Sequence, residues 1–167
     1  MLSDNLKAKI EQLKKLYPQP RSAIMPALHI AQEEEGFVSE QMMLDLAEEF
    51  GITPIQVKEL VSFYTMYKTK PVGKYHVRVC RTLTCAVLGA KSLQQALIER
   101  LHLKEGEVSK DGMWSYEVVE CLGSCGTGPV VQINDTLFEQ MTPEKLSKLM
   151  DKIEIEKPDL KLHEECR

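Results

Sequence analysis

The sequence lacks any apolar run approaching the ~20 residues needed to cross a bilayer. Its first residues, Met1-Leu2-Ser3-Asp4-Asn5-Leu6-Lys7, lack the basic start and apolar centre of a secretory signal. Both absences favour a cytoplasmic chain that meets any membrane only through partners. No G-x-G-x-x-G and no phosphate-binding G-x-x-x-x-G-K-[ST] occurs, so nothing points to a nucleotide or flavin site in this chain. The C-x-x-C of thioredoxin-type thiol-disulfide enzymes is missing as well. So is a surplus of positive charge: 21 Lys and Arg stand against 25 Asp and Glu, and the net charge of -4 disfavours nucleic acid and anionic membranes as partners. With 43% hydrophobic and 28% charged residues and no low-complexity block, the composition is that of a soluble globular protein of one ordinary or two small domains.

What the chain does have is a pattern of cysteines. Four of its five fall in two close pairs, Cys80-x4-Cys85 and Cys121-x3-Cys125. Each pair follows an apolar, β-branched run, His76-Val77-Arg78-Val79 or Tyr116-Glu117-Val118-Val119, which places the pairs in two facing loops that leave neighbouring strands. Thiols converge in this way for disulfides, for zinc or for an iron-sulfur cluster. An odd number of cysteines in a reducing compartment argues for four ligands and a spare thiol, Cys166, rather than a disulfide framework. A plant-type C-x4-C-x2-C ferredoxin is excluded, because Leu88 occupies the third position after Cys85. A Rieske centre is excluded too, since none of His29, His76, His102 and His163 lies near either pair. Zinc stays open, although neither pair has the tight C-x2-C turn usual for it.

The second loop contains Gly123, Gly126 and Gly128, which can turn their N–H groups inward at φ > 0 around an anionic cluster, or serve only to make tight turns. Arg81 is the sole cation within either cysteine loop. It is expected either to offset cluster charge and raise the reduction potential, or to point to solvent or a partner.

The segment Arg21-Ser22-Ala23-Ile24-Met25-Pro26-Ala27-Leu28, then Phe63-Tyr64-Thr65-Met66-Tyr67, the two cysteine pairs, Gly128-Pro129 and Gln132-Ile133-Asn134-Asp135 together resemble the small [2Fe-2S] subunit of the NADH-oxidising module of respiratory complex I. The resemblance runs from about Ser22 to Met150. It implies that Cys80, Cys85, Cys121 and Cys125 ligate the iron of one [2Fe-2S] cluster, with no catalytic residue in the chain itself. It implies a thioredoxin-like ferredoxin domain behind a helical one. It also implies a flavin-bearing, NADH-binding partner subunit, with FMN and NADH held there, and a place peripheral to the inner membrane through the complex. Related subunits of NAD-linked hydrogenases and formate dehydrogenases carry the same motifs.

Residue patterns fill in the architecture. Leu6, Ile10, Leu13 and Leu16 predict a first helix from Asn5 to Tyr17, stopped by Pro18 and Pro20. A second runs from near Pro26 to Gly36; Ser39 caps a third that ends at Gly51; Thr53-Pro54-Ile55-Gln56 opens a fourth with a capping box. Phe63-Tyr64-Thr65-Met66-Tyr67 is either a docking surface or the packing of this helical region onto the next domain. Strands at Tyr75–Val79 and Trp114–Val119 flank a helix at Ala90–Leu101, a hairpin turns at Asn134-Asp135, and a last helix starts at Thr142-Pro143. The expected class is α+β: a four-helix bundle over residues 1–67, a linker over 68–74, a thioredoxin-like domain with a mixed four-stranded sheet over 75–154, and a flexible tail over 155–167. The main reading is an electron carrier; a thiol-disulfide enzyme and a zinc-stabilised interaction module are its rivals.

Overall fold

The computed structural model describes residues 2–158 and 160, so the expectations for His163 and Cys166 lie outside it. The chain divides into two compact units, Met1–Pro71 and Val72–Arg167.

In the first unit, Ser3 caps α1 (Asp4–Lys14) by accepting from Leu6 N–H at 3.1 Å. Helix α1 buries Leu6 and Ile10, a burial that contributes about 2 kcal/mol per side chain. It ends before the expected Tyr17, because Lys15 closes the helix, and Leu16 is left 75% exposed instead of completing the stripe. A 3-10 turn, Pro20–Ala23, leads into α2 (Ile24–Glu35), where Pro26 sits within the first turn and needs no intrahelical partner for its nitrogen. Ser39 caps α3 (Glu40–Phe50), and Thr53 with Gln56 opens α4 (Pro54–Phe63), Gln56 Oε1 accepting from Thr53 N–H at 3.0 Å. Leu28, Ala31, Met42, Leu46, Val57 and Val61 meet Leu6 and Ile10 in one core.

Of the aromatic stretch, Tyr67 goes into this core and donates its hydroxyl to Met25 O at 2.9 Å, while Phe63 stays 78% exposed. Burial pushes the Tyr67 phenol up from 10.0 to about 12, with the neighbouring Tyr64 adding to the shift. The folded chain therefore keeps the proton at a pH where the unfolded chain has released it. Stability from this group holds below pH 10 and falls between pH 10 and about 12. Tyr67→Phe should cost about 1 kcal/mol at neutral pH, and the gap to the wild type should narrow above pH 10. Thermal unfolding of both proteins at pH 8 and pH 11 checks this; a gap that widens with pH would refute it.

The second unit is built on a four-stranded mixed sheet of order β2-β1-β3-β4: β1 (Tyr75–Cys80), β2 (Trp114–Val119), β3 (Val131–Ile133) and β4 (Thr136–Phe138). Strand β1 runs parallel to β2, with Tyr75 opposite Trp114, and antiparallel to β3. Asn134, at φ 51°, makes the two-residue turn from β3 to β4. Alternation along the strands places Tyr75, Val77, Val79, Trp114 and Tyr116 on one face, where α6 (Ala90–Leu101) and α7 (Pro143–Glu156) cover them with Leu93, Leu97, Leu146, Met150 and Ile153. The opposite face carries a buried polar group that pattern reasoning did not foresee. There His76 Nδ1 lies 2.8 Å from Ser115 Oγ, and its Nε2 lies 3.1 Å from a Glu117 oxygen.

The expected linker and the described part of the expected flexible tail both make backbone hydrogen bonds. Lys68 N–H donates to Gln32 in the first unit, while Gly73 N–H donates to Ser115 Oγ at 2.8 Å and Lys74 N–H to Gly112 O in the second. Helix α7 continues past the expected edge at 154 to Glu156, and Leu160 packs on the core with its carbonyl accepting from Asp135 N–H. The described part of the predicted tail is thus anchored, because the backbone after α7 finds partners on β1 and the hairpin, including the Tyr75 hydroxyl on Pro158 O.

Candidate metal centre

The adjacent parallel strands β1 and β2 end side by side, and each delivers one cysteine pair. Cys80 does not lie in a loop, as the β-branched run before it suggested, but is the last residue of β1 and is buried. Cys85 lies in a five-residue helix, α5 (Leu83–Val87), that the sequence reading took for loop; the helix turns Cys85 inward to the core and leaves Leu83 and Val87 more than three-quarters exposed. Its short length and mixed composition carry no periodic signal, which explains the miss. Cys121 follows β2 by two residues, and Cys125 opens a 3-10 turn, Cys125–Thr127; both are exposed.

The sulfurs meet donors suited to anions. Thr82 Oγ1 lies 3.1 Å from Cys80 Sγ, and Gly123 N–H donates to Cys121 Sγ at 3.3 Å. For Cys80, burial raises the thiol, but the Thr82 hydroxyl and the Leu122 N–H outweigh it, so the net shift is downward. For Cys85, burial dominates and the neighbouring Cys80 adds to it, so that thiol is pushed up despite the Val130 N–H. Cys80 and Cys85 thus interact directly, and Cys125 lies close enough to Cys85 to add to its upward shift.

Of the three glycines, only Gly123 has positive φ, at 82°, and it alone turns its N–H onto a sulfur as expected. Gly128 sits close to its neighbours: a Cβ there would lie 3.0 Å from Leu88 Cδ1, the end of a flexible side chain that would have to shift slightly, and 3.5 Å from Cys85 Sγ, an ordinary contact. Gly126 meets neither condition. Arg81 takes a role that neither expected alternative named. It bridges the two loops by pairing with Glu120, its Nε donating at 2.9 Å, so the charge beside Cys80 is matched by the charge beside Cys121.

The donor set fits a binuclear cluster. All four cysteines are free thiols. A [2Fe-2S] cluster would take two thiolates on each of two irons, a demand that two pairs of free thiols match in number and kind. A model of the family described as thioredoxin-like [2Fe-2S] ferredoxin matches residues 10–154. The chain belongs to this family.

Relatives of this ferredoxin include NADH-quinone oxidoreductase subunit 2 of Thermus thermophilus, 44% identical over 78% of this chain and 72% of the relative. An NADH-quinone oxidoreductase subunit of Rhizobium meliloti is 35% identical over 87% of each chain. Among solved structures, an NAD+-reducing [NiFe]-hydrogenase superposes with a TM-score of 0.68 at 20% identity, over 81% of this ferredoxin and 23% of the hydrogenase chain. That likeness is one of fold.

Sequence reasoning did not find Glu139, which follows β4 and accepts hydroxyl hydrogen bonds from Ser124 and Thr127, the residues around Cys125. No spacing signals it, since the end of β4 reaches the second cysteine loop only through the sheet order.

Proposed function

We propose that this ferredoxin is the electron-carrying subunit of an NADH-quinone oxidoreductase, with Cys80, Cys85, Cys121 and Cys125 as the ligands of one [2Fe-2S] cluster. When bound, such a cluster supplies one-electron storage and release. The chain's own part is to ligate, bury and hydrogen-bond. Cys80 and Cys85 shield one side from water, while exposed Cys121 and Cys125 mark the side open to a partner. That partner is a flavin-bearing subunit that holds FMN and NADH and performs the hydride chemistry. The observation that carries this reading is the pair of cysteine segments delivered by adjacent strand ends in a chain 44% identical to a quinone-oxidoreductase subunit. We read residues 1–67 as a four-helix bundle and 75–154 as the thioredoxin-like cluster domain, a division supported by the break between compact units after Pro71. No helix among the described residues is long and apolar enough to cross a membrane. Our reading of the chain as a subunit of that complex would place it peripheral to the inner membrane, on the cytoplasmic side.

The test is composition and colour. Freshly purified chain should contain iron and acid-labile sulfide at about two each per molecule, absorb in the visible and give an electron paramagnetic resonance signal on reduction. Stoichiometric zinc without sulfide would overturn the reading.

A further inference from the structure

We propose that Glu139 is the positioning residue of the second cysteine turn, its carboxylate gripping the hydroxyls of Ser124 and Thr127 and so holding Cys125 where it ligates. This rests on Cys125 being a cluster ligand, as proposed above. Ser124 immediately precedes Cys125, and Thr127 follows it by two residues. Both hydroxyls lie against the same oxygen, Glu139 Oε1, Thr127 Oγ1 at 2.5 Å, and they are 2.7 Å from each other. An ionised carboxylate only accepts, while each hydroxyl has one proton to give, so the donors and acceptor match in kind.

The backbone beside Glu139 holds the same turn. Gln140 N–H donates to Thr127 O at 2.7 Å, and Met141 N–H to Pro129 O at 2.9 Å. Gln140 takes φ 49°, a left-handed conformation uncommon for a residue with a side chain. Residues 139–141 thus grip 124–129 by one side chain and two backbone bonds. The turn itself is a single 3-10 segment that bears an exposed cysteine, so its orientation depends on such external ties. The two hydroxyls hold Glu139's carboxyl below the usual carboxylate range, Ser124 contributing most, so it is ionised at neutral pH.

Because one oxygen receives both hydroxyls, Gln at position 139 can accept the same bonds without the charge, whereas Ala cannot. The experiment compares cluster-loaded wild-type chain with Glu139→Ala and Glu139→Gln. Cluster loss to an iron chelator is followed by visible absorbance, the linewidth of the reduced cluster by electron paramagnetic resonance, and unfolding by circular dichroism. Glu139→Ala should lose its cluster about tenfold faster with a broadened signal and an unchanged unfolding midpoint. Glu139→Gln should stay within about twofold of the wild type. A wild-type loss rate in Glu139→Ala, a Gln variant as fast as the Ala variant, or a loss that merely tracks a lowered unfolding midpoint would each overturn the proposal. Cys125→Ser, run in parallel, separates the two readings. If it keeps full iron and sulfide, the ligand assignment falls and this role with it. If it loses them while Glu139→Ala behaves as wild type, only the role of Glu139 falls.

Discussion

Serine in place of any one of Cys80, Cys85, Cys121 or Cys125 is expected to cut iron and acid-labile sulfide from about two each per chain to well below one. The reason is ligand chemistry rather than folding. A thiolate is soft and formed near neutral pH, whereas a serine hydroxyl is hard and stays protonated there. The swap is nearly isosteric, and at Cys80 a new hydroxyl would find Thr82 Oγ1, already 3.1 Å from the sulfur. Unfolding of the cluster-free protein should therefore move by no more than about 1 kcal/mol. Cys166→Ser, outside the described residues, should leave iron and sulfide unchanged. The measurement is colorimetric iron and sulfide per chain in five single variants purified alike. If Cys166→Ser empties the site while Cys121→Ser stays full, the assignment of ligands is wrong.

Much of the fold was legible because local chemistry and tertiary packing agree. Ser39 with Gly51, Thr53 with Gln56, and Thr142 with Pro143 mark helix ends that the chain uses, and Trp114–Val119 reads as a strand because β-branched and aromatic residues fill it. The four cysteines that we propose as ligands stood out because they fall in two close pairs, each just after a β-branched run. What escaped was set by neighbours distant in sequence. Helix α5 is too short for periodicity, and Leu16 fits the stripe of α1 but lies beyond the helix end. Arg81 looked like a lone cation because Glu120, its partner, is 39 residues away and reaches it only through the parallel pairing of β1 and β2. Glu139 stayed hidden for the same reason, and so did the His76-Ser115-Glu117 group, where a histidine inside a strand pattern gave no sign of burial.

Gly73→Ala should be the most damaging single-methyl change in the second unit, lowering its stability by about 3 kcal/mol. In general, replacing Gly by Ala stabilises a protein by about 0.4–1 kcal/mol through the unfolded chain, when the native backbone tolerates it. Here sterics win. A Cβ on Gly73 would lie 2.5 Å from Trp114 C, 2.7 Å from Ser115 N and 2.8 Å from Trp114 Cα, all backbone atoms of β2 that cannot rotate away. Relief would require moving the entry to β1, where Gly73 N–H donates to buried Ser115 Oγ and Tyr75 N–H donates to Met113 O. Either displacement would leave buried polar groups short of a partner. Gly112→Ala provides the contrast: its φ of 73° makes a side chain strained, but a Cβ there meets nothing within 4 Å, so its cost should be about 1 kcal/mol. In a unit of this size, 3 kcal/mol corresponds to a fall in unfolding midpoint of about 12–24 °C. Calorimetry of both variants decides the matter. A Gly73→Ala midpoint equal to or above that of Gly112→Ala would show that the approach of Gly73 to β2 is looser than the structure indicates.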